Sequence, residues 1–386
     1  MITILLIIIY IAFISLGLPD TTMGSAWPMI YQDLQVPVSY AGVFTMIVSG
    51  GTILSSFFSE KLIRRLGTGK ITAISVAMTA VALIGICFAP SYLWICLLGI
   101  PMGLGAGSVD SALNNFVALH YEARHMNWLH GFWGVGATTG PVIMSLFLAT
   151  ENGWRKGYGT IGTMQAGLVI CLVLSLPLWK KMEKKQEKTN KAEPDTKITS
   201  LLNLRGAKPA LFSFLCYCAV EATTGLWGST YLVMYKHISA ETAARWIATY
   251  YLGITIGRFL TGFISIYMDN RKMIRMGQVT IAIGVISMIL PFSVYFQMIG
   301  LILIGLGCAP IYPAMLHETP VRFGAERSQG IMGIQMAVAY VGSTFMPPLF
   351  GLIATITGFA VLPLFLMTFA VLMLMTSEIV GRECYR

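Results

Sequence analysis

The chain has 386 residues, 56% of them apolar and 11% charged, with a formal net charge of +9. Soluble domains hold about 25% charged residues, so this composition, with a mean hydropathy of +0.72, excludes a water-soluble globular protein. The basic excess does not imply nucleic acid as a partner, because the cations gather at the ends of apolar runs and no folded aromatic context accompanies them.

A helix of about 20 apolar residues crosses a hydrocarbon core of roughly 30 Å. Runs of that kind predict twelve spans, at 3–30, 39–60, 70–89, 92–119, 127–149, 158–179, 209–235, 243–268, 273–295, 297–317, 329–355 and 358–380. The first lacks the basic leader and small-residue cleavage pattern of a signal peptide, so it is read as a span. The lipid bilayer is therefore the expected surroundings. The fold class is an all-α membrane protein with twelve transmembrane helices in two pseudo-symmetric six-helix bundles.

With the N-terminus placed in the cytoplasm, the loops on that side hold 21 of the 26 Lys and Arg. Such alternation over twelve spans is the positive-inside pattern, and it predicts a multi-pass cell-membrane protein with both termini cytoplasmic. The segment KKMEKKQEKTNKAEPDTK (180–197) is the longest polar stretch and divides the spans six and six. Expected domains are an N-terminal bundle at 1–179, a basic cytoplasmic linker at 180–208 and a C-terminal bundle at 209–386. Nothing points to an obligate oligomer, and a monomer is expected.

Three acids fall inside predicted spans. Asp20 lies in GLPDTTMGSAWP (17–28), Asp110 in GLGAGSVDSALNNF (103–116) and Glu221 in CYCAVEATTGLWGS (216–229). An ionised carboxylate at the bilayer centre costs about 2.5–3.5 kcal/mol on insertion scales, so such residues normally face a bundle interior or an aqueous path. Desolvation favours the neutral form of a carboxylate. Asp20, Asp110 and Glu221 are therefore the proton-coupling candidates. Sodium is the rival coupling ion, with Thr21, Thr22, Ser111 and Asn114 as possible oxygen donors.

Amides and aromatics inside the spans form the candidate substrate set: Trp27, Asn114, Asn115, His130, Trp133, Trp227, Tyr231 and Gln335. Amides and carboxylates can bond sugar hydroxyls, and an aromatic ring can cover the apolar C–H face of a sugar. The bland reading, helix packing or interfacial anchoring, competes at every one of these aromatics. His130 opens span 5 near the expected cytoplasmic face, where an inner gate is the alternative role.

Other features carry no chemistry of their own. The glycines at 103–107 sit deep in an apolar span, not after a strand, so they are no phosphate cradle. HYEARH (120–125) reads as a solvated turn, and the seven cysteines as small apolar fillers without metal spacing. There is no nucleophile–base pair and no cofactor motif, so neither an enzyme nor a cofactor is expected.

The two halves resemble each other. Asp20 and Gly24 fall on Glu221 and Gly225 at a shift of 201, and Gly50, Thr52 and Ile53 fall on Gly253, Thr255 and Ile256 at a shift of 203. Leu104, Gly105 and Ala112 fall on Leu306, Gly307 and Ala314 at a shift of 202, and VGATTGP (135–141) falls on VGSTFMP (341–347) at a shift of 206. Duplication in parallel orientation implies alternating access.

Twelve spans, a basic middle loop and parallel halves resemble the major facilitator superfamily over essentially the whole chain. EKLIRRLGTGK (60–70) is similar to that superfamily's loop motif through Arg65-Leu66-Gly67, with Arg64 where the motif has aspartate. GRFLTGFISIYMDNRK (257–272) keeps Gly257, Arg258, Gly262, Asp269 and Arg271. The resemblance implies gating roles for Arg65, Arg258 and Asp269. Within the superfamily, Asp20 and GLGAGSVDSALNNF resemble the fucose/glucose:proton symporter-like family, with Asn114-Asn115 where relatives often have Asn-Pro and with Glu221 in addition. That implies proton-coupled import of a sugar or related polyol. GATTGP (136–141) matches the first part of the drug:proton antiporter motif and implies efflux as the alternative. A non-transporting sensor is the third.

Overall fold

The structure, a computed structural model, describes residues 2–121, 123–183, 202–265 and 267–384. Among these residues the regular elements are all helical. They are α1 (Ile2–Asp20), α2 (Thr22–Asp33), α3 (Tyr40–Leu66), α4 (Thr68–Cys87), α5 (Tyr92–His120), α6 (Ala123–Leu148), α7 (Gly153–Glu183), α8 (Ala207–Met234), α9 (Ala240–Ile264), α10 (Asn270–Ile289), α11 (Tyr295–His317), the short α12 (Thr319–Phe323), α13 (Ala325–Thr357) and α14 (Leu362–Cys384). Eleven stretches are long and apolar enough to cross a membrane, and α3 adds a shorter apolar one at Tyr40–Ser56. The twelve predicted spans each correspond to one of these.

Two compact units divide the chain, Met1–Lys191 with Ser239–Ala248 and Ala192–Ile238 with Thr249–Arg386. The start of α9 thus belongs to the first unit, whereas the predicted boundaries put it in the second. Helix α7 runs on to Glu183, and most of the predicted linker lies outside the described residues.

In the first unit, α1 packs on α6, α3 on α5, and α4 on both α5 and α7. Glycine permits the close approaches. A side chain at Gly136 of α6 would run into the Ile14 carbonyl of α1, and one at Gly17 of α1 into the Trp133 carbonyl of α6. At Gly140, a Cβ would stand 2.9 Å from Thr21 Oγ1, and Thr21 Oγ1 donates to Ala137 O at 2.9 Å. The glycines of GATTGP are therefore accounted for by packing against α1.

Span 1 breaks at Thr21 into α1 and α2. Pro19 has no N–H to give to the carbonyl four residues back, that of Ser15. Gln165 of α7 takes that place, donating Nε2 to Ser15 O at 2.6 Å, while its Oε1 accepts from Thr79 Oγ1 of α4 at 2.7 Å. Asp20 is thus set at a helix end whose loose carbonyl is tied by a buried amide. The second unit has Val220 at the matching position, and α8 runs through unbroken.

The second unit repeats the contacts. Gly51 of α3 leaves room for Leu104 N, 3.0 Å from where its Cβ would sit, and Gly253 of α9 does the same for Leu306 N at 3.1 Å. Gly103 faces the Val48 backbone and Gly305 the Tyr250 backbone. Gly136 meets Ile14 O, and Gly342 meets Leu215 O. The shifts of 201, 202 and 206 therefore describe equivalent contacts. One register changes: Gly51, not Gly50, matches Gly253, so the α3–α9 shift is 202. Nothing lies within 4 Å of a Cβ on Gly50.

At the end of α3, Gly67 adopts φ 83°, a left-handed turn that suits glycine and leads directly into α4. Asp269 caps α10, accepting from Lys272 N at 2.8 Å. That backbone N–H is the main cause holding the Asp269 carboxyl below its ordinary range. The repeat register yields a test. Gly103→Ala and Gly305→Ala should each lower thermal stability in detergent, overpacking typically costing about 1–3 kcal/mol, whereas Gly50→Ala should not. Loss at Gly50 with none at Gly103 or Gly305 would overturn the register.

Candidate functional site

Asp20 closes α1 and retains accessible surface, and Trp133 Nε1 of α6 donates to its Oδ2 at 2.9 Å. Glycine packing between the two helices sets that distance, since Gly17 stands one turn before Asp20 and lies on the Trp133 carbonyl. On α5, Asn114 sits one turn after Asp110 and donates Nδ2 to its Oδ1 at 2.9 Å and to its backbone O at 3.0 Å. Asp110 and Asn114 are both half-buried. Asp110 lies near enough for its charge to be felt at Asp20. Among the described residues, no basic side chain forms an ion pair with either.

Around this pair, His130 is exposed on α6, edge-on to the Phe13 ring with centroids 5.8 Å apart, and Trp133 is half-buried. The side chain of Asn115 lies outside the described residues. The first unit thus brings Asp20, Asp110, Asn114 and Trp133 together, with His130 three residues before Trp133 on the same helix.

The other substrate candidates are packing residues. Trp27 is fully buried and donates Nε1 to Val38 O at 2.6 Å. Trp227 is equally buried, donates to Pro347 O at 2.7 Å and lies over Gly351. Tyr231 donates to Gln297 Oε1 at 3.1 Å, and Gln335 Oε1 accepts from Thr319 Oγ1 at 2.9 Å, both inside the second unit. Each of these polar contacts is made inside the residue's own unit and away from the Asp20–Trp133 contact.

Glu221 has a different environment from Asp20, its counterpart at a shift of 201. Arg258 of α9 reaches it with Nη2 at 3.4 Å from Oε1, the two side chains being 19% and 25% exposed. Tyr250 donates to the Glu221 backbone O at 3.0 Å, and Tyr217 and Tyr312 neighbour the guanidinium. By the repeat, Arg258 falls on Ser56 and Tyr312 on Asp110. Two acids and a serine in one half thus correspond to an acid, an arginine and a tyrosine in the other. The pair was readable in the sequence: Arg258 is the cation that the topology leaves inside a span, and such a charge needs an acid.

The gating candidates lie apart. Arg65 is exposed beside Gly67, Arg258 pairs with Glu221, and Asp269 pairs with Lys272 at 3.3 Å. Residues that sequence reasoning passed over are Pro19, which breaks the helix beside Asp20, and Tyr217 beside Arg258. The proline's signal was its position immediately before the acid.

Comparison with known proteins decides the family. The model of the Major Facilitator Superfamily matches residues 9–244 and 210–380. The chain belongs to the major facilitator superfamily. Bypass of stop codon protein 6 of Saccharomyces cerevisiae is 24% identical, covering 92% of this chain and 78% of its own. The glucose/mannose transporter GlcP of Bacillus subtilis is 21% identical over 80% of this chain and 77% of its own. The crystal structure of a bacterial homologue of the human lysosomal transporter Spinster, in an inward-facing and occupied conformation, matches 98% of this chain and 96% of that one, with a TM-score of 0.71 at 11% identity. This superfamily member is a multi-pass membrane transporter.

The ion pair of this transporter supplies a test. Glu221→Gln and Arg258→Gln each strand a charge in a span; breaking one side of a buried pair costs about 3–5 kcal/mol, and partial exposure makes that an upper bound. The double variant should melt higher than either single one in detergent. Additive losses would show that the two charges do not stabilise each other.

Proposed function

We propose that this transporter is a proton-coupled symporter of a sugar or related polyol, working by alternating access in the cell membrane with both termini cytoplasmic. The observation that carries the reading is the site of Asp20 and Asp110: two accessible carboxylates in membrane-spanning helices with no cation paired to either among the described residues. The likeness to a transporter whose name specifies glucose and mannose supports the substrate class. Efflux loses its main support, because the glycines of the shared motif are explained by the α1–α6 contact.

Asp110 and Asp20 are the proton carriers in this scheme. A carboxylate facing water ionises readily, while one enclosed in apolar surroundings prefers its proton, so a cycle that opens and closes the site moves a proton with each turn. Trp133, held through its N–H to Asp20, is the aromatic that would meet the apolar side of a sugar ring in this scheme. Asn114 donates to Asp110 and keeps its carbonyl for a sugar hydroxyl. Glu221 pairs with Arg258 and fixes local charge in this scheme.

One pH unit is worth about 1.4 kcal/mol, roughly tenfold in concentration for one proton per sugar. Purified protein in liposomes, acid outside, should therefore accumulate labelled glucose up to that limit, with the medium turning alkaline. Asp110→Asn should abolish accumulation while exchange of labelled for unlabelled sugar continues. Normal uphill uptake by that variant would remove Asp110 from coupling, and accumulation driven by a sodium gradient at equal pH would replace the proton with sodium.

A further inference from the structure

At one end of the second unit, the start of α10, the short α12 and the last turns of α14 line an open cavity of about 210 Å³, space for roughly seven waters. It belongs to the end that the charge distribution assigns to the cytoplasm. Four cations line it: Arg271, Lys272, Arg275 and Arg322. Two carboxylates share the lining. Asp269 caps α10 and pairs with Lys272 at 3.3 Å, and Glu378 accepts from Arg275 Nε at 2.8 Å and from Arg275 Nη2. Counting Glu318, which pairs with Arg322 from outside the lining, the cavity keeps an excess of one positive charge.

The cations are placed by the fold. Arg271 lies against α14 at Gly381, its Nη2 standing 2.6 Å from where a side chain would begin, so the glycine makes room for the guanidinium. Arg322 is the most buried of the four. Its side chain is only 8% exposed, and Glu318 Oε2 lies 3.4 Å from Nε without accepting a hydrogen bond, leaving Nε with no acceptor. Glu318 is engaged elsewhere, its Oε1 accepting from Asn270 Nδ2 at 3.1 Å.

We propose that this cavity is a binding site for a phosphate group, held by Arg322, Arg275, Arg271 and Lys272. Guanidinium forks match the oxygens of phosphate, and charge-assisted bonds of this type are about twice as strong as neutral ones. The N-terminal turn of the twenty-residue α10 adds positive potential at the same place. A soluble phosphate and the headgroup of an anionic phospholipid present the same chemistry here. It is independent of the Asp20 and Asp110 site and stands whatever that site transports.

Calorimetric titration of the purified full-length transporter in neutral detergent tests it, using inorganic phosphate and, separately, short-chain phosphatidic acid, with short-chain phosphatidylcholine as the control. The wild type should bind at least one of the two anionic probes and not the control. Arg275→Gln and Arg322→Gln should each weaken binding roughly tenfold or more, the worth of one charge-assisted bond. Arg275 is largely exposed, so its variant reports even where Arg322→Gln fails to fold. Binding of phosphatidic acid alone assigns the site to lipid headgroups, and binding of inorganic phosphate assigns it to soluble phosphates. Binding of neither, or binding unchanged in Arg275→Gln, overturns the proposal.

Discussion

Two helices in a bilayer gain little by burying leucine against leucine, because the lipid they displace is as apolar as the contact replacing it. What remains is close packing, and here it is backbone against backbone. Gly17, Gly136 and Gly140 bring α1 onto α6, and Gly51 and Gly103 bring α3 onto α5. The consequence reaches the site. Asp20 can accept from Trp133 only because nothing larger than hydrogen separates the two helices one turn earlier. The carbonyl that Pro19 frees has to be met inside the protein, since lipid offers no donor, and Gln165 meets it. Packing, helix break and carboxylate placement follow from one constraint.

The same scaffold occurs twice, with its glycines in register and its charges changed. Contacts at Gly103 and Gly305, or at Gly136 and Gly342, involve matching partners, so the framework of each unit is conserved between the halves. The polar positions on that framework are not. Where the first unit has Asp20, Ser56 and Asp110, the second has Glu221, Arg258 and Tyr312. Ser56 donates to Gly107 O at 3.3 Å and offers no charge, whereas Arg258 reaches the neighbouring acid. A duplicated unit can therefore hold one polar cluster closed by its own counter-charge and leave the other open to titration.

Much of this was legible in the chain. Twelve apolar intervals map onto the helices, because a 30 Å slab imposes a length that composition alone reveals. The repeat was legible from short matches, although it slipped by one residue at Gly50, where adjacent glycines look alike and only the contact with Leu104 distinguishes them. The aromatics were not legible. A tryptophan in an apolar helix has the same sequence context whether it faces a ligand or a neighbouring carbonyl, as Trp133 and Trp227 show by bonding a carboxylate and a backbone oxygen respectively. Acids stood out because burying charge is costly on every face; indoles did not, because burying them is favourable on most.

That cost also argues for the role proposed for Asp20 and Asp110. If Trp133 needed only an acceptor, an asparagine at position 20 would supply one without the roughly 2.5–3.5 kcal/mol that a carboxylate costs in a span. The bond from Asn114 likewise lies within α5 and ties no second helix to it, so structural support explains little of Asp110. In the second unit an acid is tolerated beside Arg258, and the expense falls largely on the pair. The first unit keeps two carboxylates, Asp110 near enough for its charge to be felt at Asp20, with no such partner among the described residues. An amide cannot do the one thing a carboxylate adds there, which is to let a proton go and take it back.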